Sequence, residues 1–522
     1  MKDVNTVFSE AEELQYVNSR LHTLVDVDRR VLNRRQTLSY MLFDGSREFN
    51  IDKHKDLFND GVLKIDLDLQ AQYNIFAGVW DIVDDFIVGA MVEKTRTRWG
   101  KFIPWFGVAG VALAIVSSLY WLLPVLFSPE HVDNFKFLPK FFAFAALDML
   151  LEFWNNTRNV SIEGYLSTVT PYPSDRRRLL AISSYFRIIY SRLPDLVVEF
   201  MLDGIKHGIV KSAKYTTDEL INRLLIAMGP VTAVFSGLIC LWYARIARER
   251  VHQKIERPRI RDSLRIVFSH RPVLIYMISN ALGSFGTGMS NNDYYRQVLD
   301  WTTFDFFSGI PSFFFQPIGF ANYNRLASRF STRSLYMIGQ VFAKTYYIPL
   351  FAYGMLFKDK KGAYFFQNAY AMLPAAALYE ILYATFWGVR TISIDEMRNE
   401  CNDYLEWKCG CRNEATLAAA GAFLCKIPAR INGVMQPLYK KWIGYDQTAY
   451  KQQGGKQTLH AQKWIFAMAT LIPAFLVLGS MVPMFWFNID KPMRDKMYRE
   501  LNERRAATAE RIRQEADAED QR

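Results

Sequence analysis

Residues 102–128, 224–244, 272–292, 306–324 and 464–488 carry no charged side chain. Each is long enough, or nearly so, for a helix to cross the ~30 Å hydrocarbon of a bilayer. Between them lie apolar but charge-interrupted stretches at 69–93, 137–168, 178–206, 333–357, 364–392 and 413–440. That pattern predicts helices facing an interior, because an ionised group at bilayer depth costs at least roughly 2.5–3.5 kcal/mol unless it is paired or hydrated. A further segment at 36–58 fails on hydropathy, since Asp44, Arg47, Glu48, Asp52, Lys53, Lys55 and Asp56 crowd it. It is retained as a cavity-facing helix, because twelve spans put the basic N-terminal segment and the Lys/Arg-rich tail on the same, cytoplasmic side.

The expected architecture is therefore an all-α polytopic membrane protein of twelve transmembrane helices in two six-helix halves. A cytoplasmic segment 1–35 precedes a first half at 36–247. A basic cytoplasmic linker at 248–270 leads to a second half at 271–488 and a charged cytoplasmic tail at 489–522. Two groups of six flanking one linker match parallel repeats around a site near the midplane. The tail, with little apolar periodicity, is expected to be a solvated helix or a disordered extension.

Composition agrees once it is read locally. Aromatic residues make up 15% of the 522 residues, with 12 Trp, while the mean hydropathy of -0.03 averages apolar spans with charged ends and loops. The net charge of +11 is no nucleic-acid signal, because the basic residues cluster at helix ends: Lys94, Arg96, Arg98 and Lys101; Arg176, Arg177 and Arg178; and the run 245–271. The positive-inside rule puts these loops in the cytoplasm. Cys401, Cys409 and Cys411 share a loop expected there, so no structural disulfide is predicted. Their spacing lacks a matched second pair for zinc. Residues 1–35 contain no apolar core of a cleaved signal.

The most informative stretch is WDIVDDFIVGAMVEKTRTRWGKFIP at 80–104. Asp81 and Asp85 lie one turn apart on one face of an apolar helix. Two carboxylates so placed can offer oxygens to a hard monovalent cation, or share a proton because both cannot easily ionise. Residue chemistry leaves sodium, lithium and proton open. Asp84, some 100° around the helix from Asp85, is a lateral participant or a partner for a basic residue.

This string resembles the helix 2 to helix 3 signature of the glycoside–pentoside–hexuronide:cation symporters, the melibiose-permease-like branch of the major facilitator superfamily. Ser46-Arg47-Glu48-Phe49 resembles that family's helix 1 element, and Thr168-Val169-Thr170 with Asp175-Arg176-Arg177 is similar to its helix 4–5 loop. Asp403-Tyr404-Leu405-Glu406-Trp407-Lys408 with Arg412 and Glu414 resembles its helix 10–11 loop. The resemblance implies uptake of a glycoside or oligosaccharide, coupled to sodium, lithium or proton entry, by alternating access at the plasma membrane. The protein is expected to be monomeric, with no cofactor and no metal beyond a possible sodium ion.

The same resemblance implies a cation site at Asp81 and Asp85, and sugar contacts at Glu48 and Arg47. It places Asn159 where the family has an acid serving both sites, and Glu163 where an aromatic sugar-stacking residue is expected. Lys426 falls at the helix 11 lysine, a natural counter-charge for an acidic site and a substrate contact. Arg187 is the candidate grip on sugar hydroxyls or a carboxylate. Arg96, Arg98, Asp403, Glu406, Lys408 and Arg412 look like a cytoplasmic gate, or equally like solvated charge obeying topology. Trp80, Trp154, Trp387, Tyr185 and Tyr379 are potential stacking platforms, though such residues are more often core or interfacial belt.

No phosphate loop, zinc-protease motif or nucleophile elbow is present, so no enzyme is expected. Two rival readings remain: a non-transporting sugar sensor, which could dispense with the aspartate pair, and a lysolipid transporter, which would want an apolar cavity. Arg47 with Arg187 would suit an anionic sugar, Glu48 and Glu163 a neutral one.

Overall fold

The computed structural model describes residues 33–95, 97, 99–169, 173–249, 268–287, 289–360, 362–409, 414–451, 456–490, 492–501 and 503. These form α1 (Arg34–Ser46), α2 (Leu67–Lys94), α3 (Ile103–Leu126), α4 (Leu138–Val169), α5 (Pro173–Lys206) and α6 (Thr217–Ile246). The second half holds α7 (Arg271–Gly283), α8 (Phe304–Arg329), α9 (Thr332–Lys344), α10 (Ala369–Cys409), α11 (Glu414–Trp442) and α12 (Leu459–Ala469). Among the described residues four helical stretches are long and apolar enough to cross a membrane on composition alone: Ile103–Leu126, Thr217–Ile246, Ala369–Lys408 and Leu459–Trp486. Among the others, α2, α4, α5 and α11 carry charges along their length, as the interrupted hydropathy predicts, whereas α7 ends early at Gly283 and α8 holds the charge-free run 306–324.

Four helices are broken, and the breaks after α1 and α7 have a local cause. After α1 the Asn50 side chain accepts from the backbone N–H of Asp52 at 3.0 Å, an Asx turn that competes with helix. The predicted continuous span 36–58 is thus a helix to Ser46 followed by short turns from Asp52 to Val62. α7 unwinds in the glycine-rich stretch after Gly283 and resumes as the short helix Asn291–Gln297. Asn432 of α11 holds the unwound backbone, accepting from Gly286 N–H and donating to the Ser284 carbonyl, both at 3.1 Å. Irregular backbone at bilayer depth needs such a partner. α9 and α12 continue past their breaks as Tyr347–Leu356 and Leu471–Met481.

Within each half the helices pack on small residues. A Cβ at Gly237 of α6 would stand 2.6 Å from the Ala114 side chain of α3, and one at Gly319 of α8 would stand 2.4 Å from the Thr385 carbonyl of α10. Close backbone approach of this kind is how helices associate where lipid removes the usual hydrophobic gain. α2 and α11 make the most extensive helix contact between the halves.

The tail departs from expectation. Residues 492–501 are helical, and Met497 and Leu501 are buried against Val273, Met397, Cys401 and Leu405. The apolar positions Met493, Met497 and Leu501 recur every four residues, one helical stripe hidden among charges.

Candidate functional site

Near the middle of the α2–α11 contact, three helices bring their charged residues together. α2 offers Asp81, Asp84 and Asp85, α4 offers Glu152 and Asn156, and α11 offers Lys426 and Arg430, one turn apart. The Lys426 ammonium lies 3.3 Å from Asp81 Oδ1 and also pairs with Asp85 Oδ2. Arg430 pairs with Asp81 Oδ2 at 3.1 Å and with Glu152. The Asn156 amide donates to Asp84 Oδ2 at 3.0 Å and to Asp85 Oδ1 at 2.8 Å.

Exposure separates the aspartates. The Asp81 side chain is 9% exposed and that of Asp85 39%, so Asp85 is the more accessible of the two. Asp84 is fully buried and its Oδ1 has no hydrogen-bond partner. Four carboxylates thus face two fixed cations across the junction of the halves, an excess of acid that favours further positive charge. Among the described residues no group of three or more His, Cys, Asp or Glu side chains is arranged to hold a metal ion.

One turn along α4, Asn159 Oδ1 accepts from Arg47 Nη2 at 2.8 Å, and Arg47 Nη1 pairs with Asp44 at 3.0 Å. Asn159 therefore contacts the α1 arginine, and the α4 residue touching the aspartates is Asn156, three positions earlier. Glu48 is half-buried beside Arg47 and makes no ion pair among the described residues. Arg187 is half-buried on α5, its charge felt at Tyr40 of α1. Lys426, expected to serve both cation and sugar, pairs with the aspartates among the described residues. The Glu163 side chain lies outside the described residues.

At the gate, Arg96, Arg98 and Arg412 lie outside the described residues. Asp403 is buried and accepts from Tyr498 of the tail helix at 3.1 Å, and Glu406 is half-buried. Lys408 is exposed, its ammonium 3.9 Å over the Trp407 ring, while Trp407 donates to Glu500 at 2.7 Å. The described contacts of Asp403 and Trp407 thus join α10 to the tail. Of the aromatic candidates, Tyr379 stacks on Tyr347 at 4.2 Å and Trp154 packs with the first-half core. Trp80 has a buried, unpartnered Nε1, and the Tyr185 side chain is outside the described residues.

The end opposite the basic loops is held shut by charge, which the sequence reading missed. Lys53 pairs with Glu199 at 2.6 Å and with Asp305 at 3.4 Å, and Arg192 pairs with Asp305 at 2.9 Å. Asp203 of α5 accepts from the backbone N–H groups of Thr302 and Thr303 and from the Thr303 hydroxyl, capping the start of α8 across the halves. Lys440 of α11 reaches Asp60 at 2.7 Å with both side chains almost fully buried.

Fold and site together define a multi-pass membrane transporter of the major facilitator type, and not an enzyme. The sequence model of the MFS/sugar transport protein family matches residues 51–491, and the chain belongs to that family. It is similar to the uncharacterized symporter YnaJ of Bacillus subtilis (strain 168), 22% identical over 441 residues, or 81% of this chain and 84% of that one. A match to an uncharacterized symporter of Synechocystis, 24% identical, spans 41% of this chain and 37% of the relative. Lactose permease of Leuconostoc lactis is 25% identical over 105 residues, covering 20% of this chain and 16% of that protein. Among solved structures, a D-xylose-proton symporter superposes with a TM-score of 0.53 at 12% identity, over 87% of this chain and 98% of the other. The nucleoside transporter NupG gives 0.51 at 13% identity with the same coverage. These likenesses speak for the fold.

Proposed function

We propose that the protein is a secondary active transporter of the plasma membrane that couples entry of a monovalent cation, sodium, lithium or a proton, to uptake of a glycoside by alternating access. The observation that carries this reading is Lys426, an α11 ammonium bridging Asp81 and Asp85 of α2 across the two halves. In the empty carrier Lys426 neutralises the pair. An entering cation takes over the Asp85 carboxylate, releases Lys426 and loosens the junction of the halves, while Arg430 keeps Asp81 engaged. The glycoside binds beside it, at Arg47, Glu48 and Asn159. Each ligand then favours the other, by typically about 1–3 kcal/mol in such coupled systems. The names of the relatives, two symporters and a lactose permease, support the same reading.

Proteoliposomes preloaded with potassium buffer test it. Labelled glycosides should accumulate only under an inward sodium, lithium or proton gradient, and Asp85→Asn should abolish accumulation while leaving downhill exchange. Gradient-independent uptake by the native chain would refute the coupling.

A further inference from the structure

We infer that the sealed far end holds a proton site of its own, between His54 and Asp195, and that a proton bound there keeps the seal shut. The site stands apart from the Asp81–Asp85 pair and rests only on the two halves parting at that end, whatever the carrier moves. His54 closes the turn after α1, and Asp195 lies on α5 directly after Pro194. The imidazole Nε2 stands 3.9 Å from Asp195 Oδ1, with the two side chains 2% and 14% exposed. Both atoms are buried and neither has a hydrogen-bond partner. That separation is too long for a hydrogen bond, and buried polar groups left unbonded are costly.

The charges around the pair do not supply what is missing. Lys53, Arg192, Glu199 and Asp52 act on Asp195, and Lys53 and Arg296 act on His54. Each of these already has an ionic partner. Lys53 takes Glu199 at 2.6 Å and shares Asp305 with Arg192, Asp52 takes Lys55 at 3.2 Å, and Arg296 takes Asp293 at 2.8 Å. Cations and carboxylates in this set match one for one, which leaves the Asp195 charge over. One proton placed between Nε2 and Oδ1 cancels that charge and turns two unmade hydrogen bonds into one made.

Lys53, next to His54 in the chain, ties α5 to α8 across the halves. Arg296 and Asp305 belong to the second half, so parting the halves uncovers the pair. Water then hydrates both groups and the proton matters less, whereas in the sealed form both atoms are out of reach of solvent. The sealed form therefore binds the proton more tightly than the opened one. Linkage fixes the sign: the proton adds to the stability of the sealed form at low pH, and the gain is lost as the pH rises. Acid at this face holds the carrier shut.

Spin labels at Ile209→Cys and Lys360→Cys, in a chain whose own cysteines are replaced, test the inference by double electron–electron resonance in lipid nanodiscs without substrate or gradient. Ile209, 82% exposed between α5 and α6, and Lys360, exposed between α9 and α10, stand on opposite halves. From about pH 8 to about pH 5 the ratio of short to long distances should rise about tenfold or more, as expected of one charge-assisted hydrogen bond gained in one state only. Asp195→Asn and His54→Gln each supply permanently the hydrogen that the proton would bring, so both should keep the short distance dominant at either pH. No change in the native ratio, or a change of opposite sign, overturns the inference. So does a variant that keeps the native pH response. Should one variant fail to fold, the other decides; should both fail, the pair is structural and the inference falls. Asp85→Asn should keep the native response, and its loss would move the proton to the α2 pair. Gradient-driven uptake decides the transport reading separately, since failure there leaves these distances untouched.

Discussion

Replacing Lys426 by alanine should injure Asp85 and spare Asp81. Asp81 retains Arg430 at 3.1 Å, whereas Asp85 is left with the Asn156 amide at 2.8 Å as its described partner. Breaking a fully buried pair costs about 3–5 kcal/mol and losing an exposed one about 0–1 kcal/mol. The Lys426 and Asp85 side chains are 35% and 39% exposed, so solvent screens much of the effect and the expected loss is about 1–2 kcal/mol. The assay is a thermal or denaturant melt of purified protein, carried out as a double-mutant cycle. Adding Asp85→Asn to Lys426→Ala removes the orphaned charge and should restore most of the loss. Adding Asp81→Asn should restore nothing, since it takes a partner from Arg430. Rescue by Asp81→Asn and not by Asp85→Asn would refute this division of labour.

Glu48→Gln should abolish glycoside uptake while cation-dependent protection of Asp85 from carbodiimide modification persists, because the proposed glycoside site takes in Glu48 beside Arg47, whose guanidinium reaches Asn159 at 2.8 Å, and leaves Asp85 out. Lys440→Met should lower stability by about 3–5 kcal/mol in a melt, as it strands Asp60 in a site where both partners are nearly fully buried; the double variant with Asp60→Leu should recover most of it. Gly319→Ala should cost about 1–3 kcal/mol or prevent folding, read as loss of monodisperse protein on gel filtration, because the new methyl would meet the Thr385 carbonyl at 2.4 Å.

Hydropathy located the helices because span length is fixed by the bilayer, and its failures mark places where another force prevails. The stretch 36–58 was expected as one helix and is broken at Asn50, whose side chain caps Asp52; of the charges that defeated hydropathy there, Lys53 sits in the sealed far end, while Asp44 and Arg47 stand with Asn159 of α4. Lys426 pairs with Asp81 and Asp85; the aspartate pair was legible from its one-turn spacing, and Lys426 from the family resemblance. Glu152 and Asn156 were missed although the signal was present: polar residues at 148, 152, 156, 159 and 163 recur at helical spacing along α4. Arg430 has no place in the sequence reading, although its four-residue spacing from Lys426 puts both on one face. The pairs closing the far end, such as Lys53 with Glu199, join residues more than a hundred positions apart. Local pattern carries no record of them. The tail misled because its charges conceal a narrow stripe of Met493, Met497 and Leu501.

The glycine contacts of the bundle have a mechanical consequence. Inside a half, α3 meets α6 and α8 meets α10 with backbones nearly touching, and a gap of about an ångström already forfeits up to roughly half of van der Waals attraction of that kind. Between the halves, the attachments at Lys426, Arg430, Lys53, Arg192 and Lys440 are ionic, reach further, and can be exchanged for water or a ligand one at a time. The molecule is therefore brittle within its halves and ductile between them. Movement will concentrate at the ductile seam, and the height of its barrier can be set by editing single charges there without disturbing the rigid parts on either side.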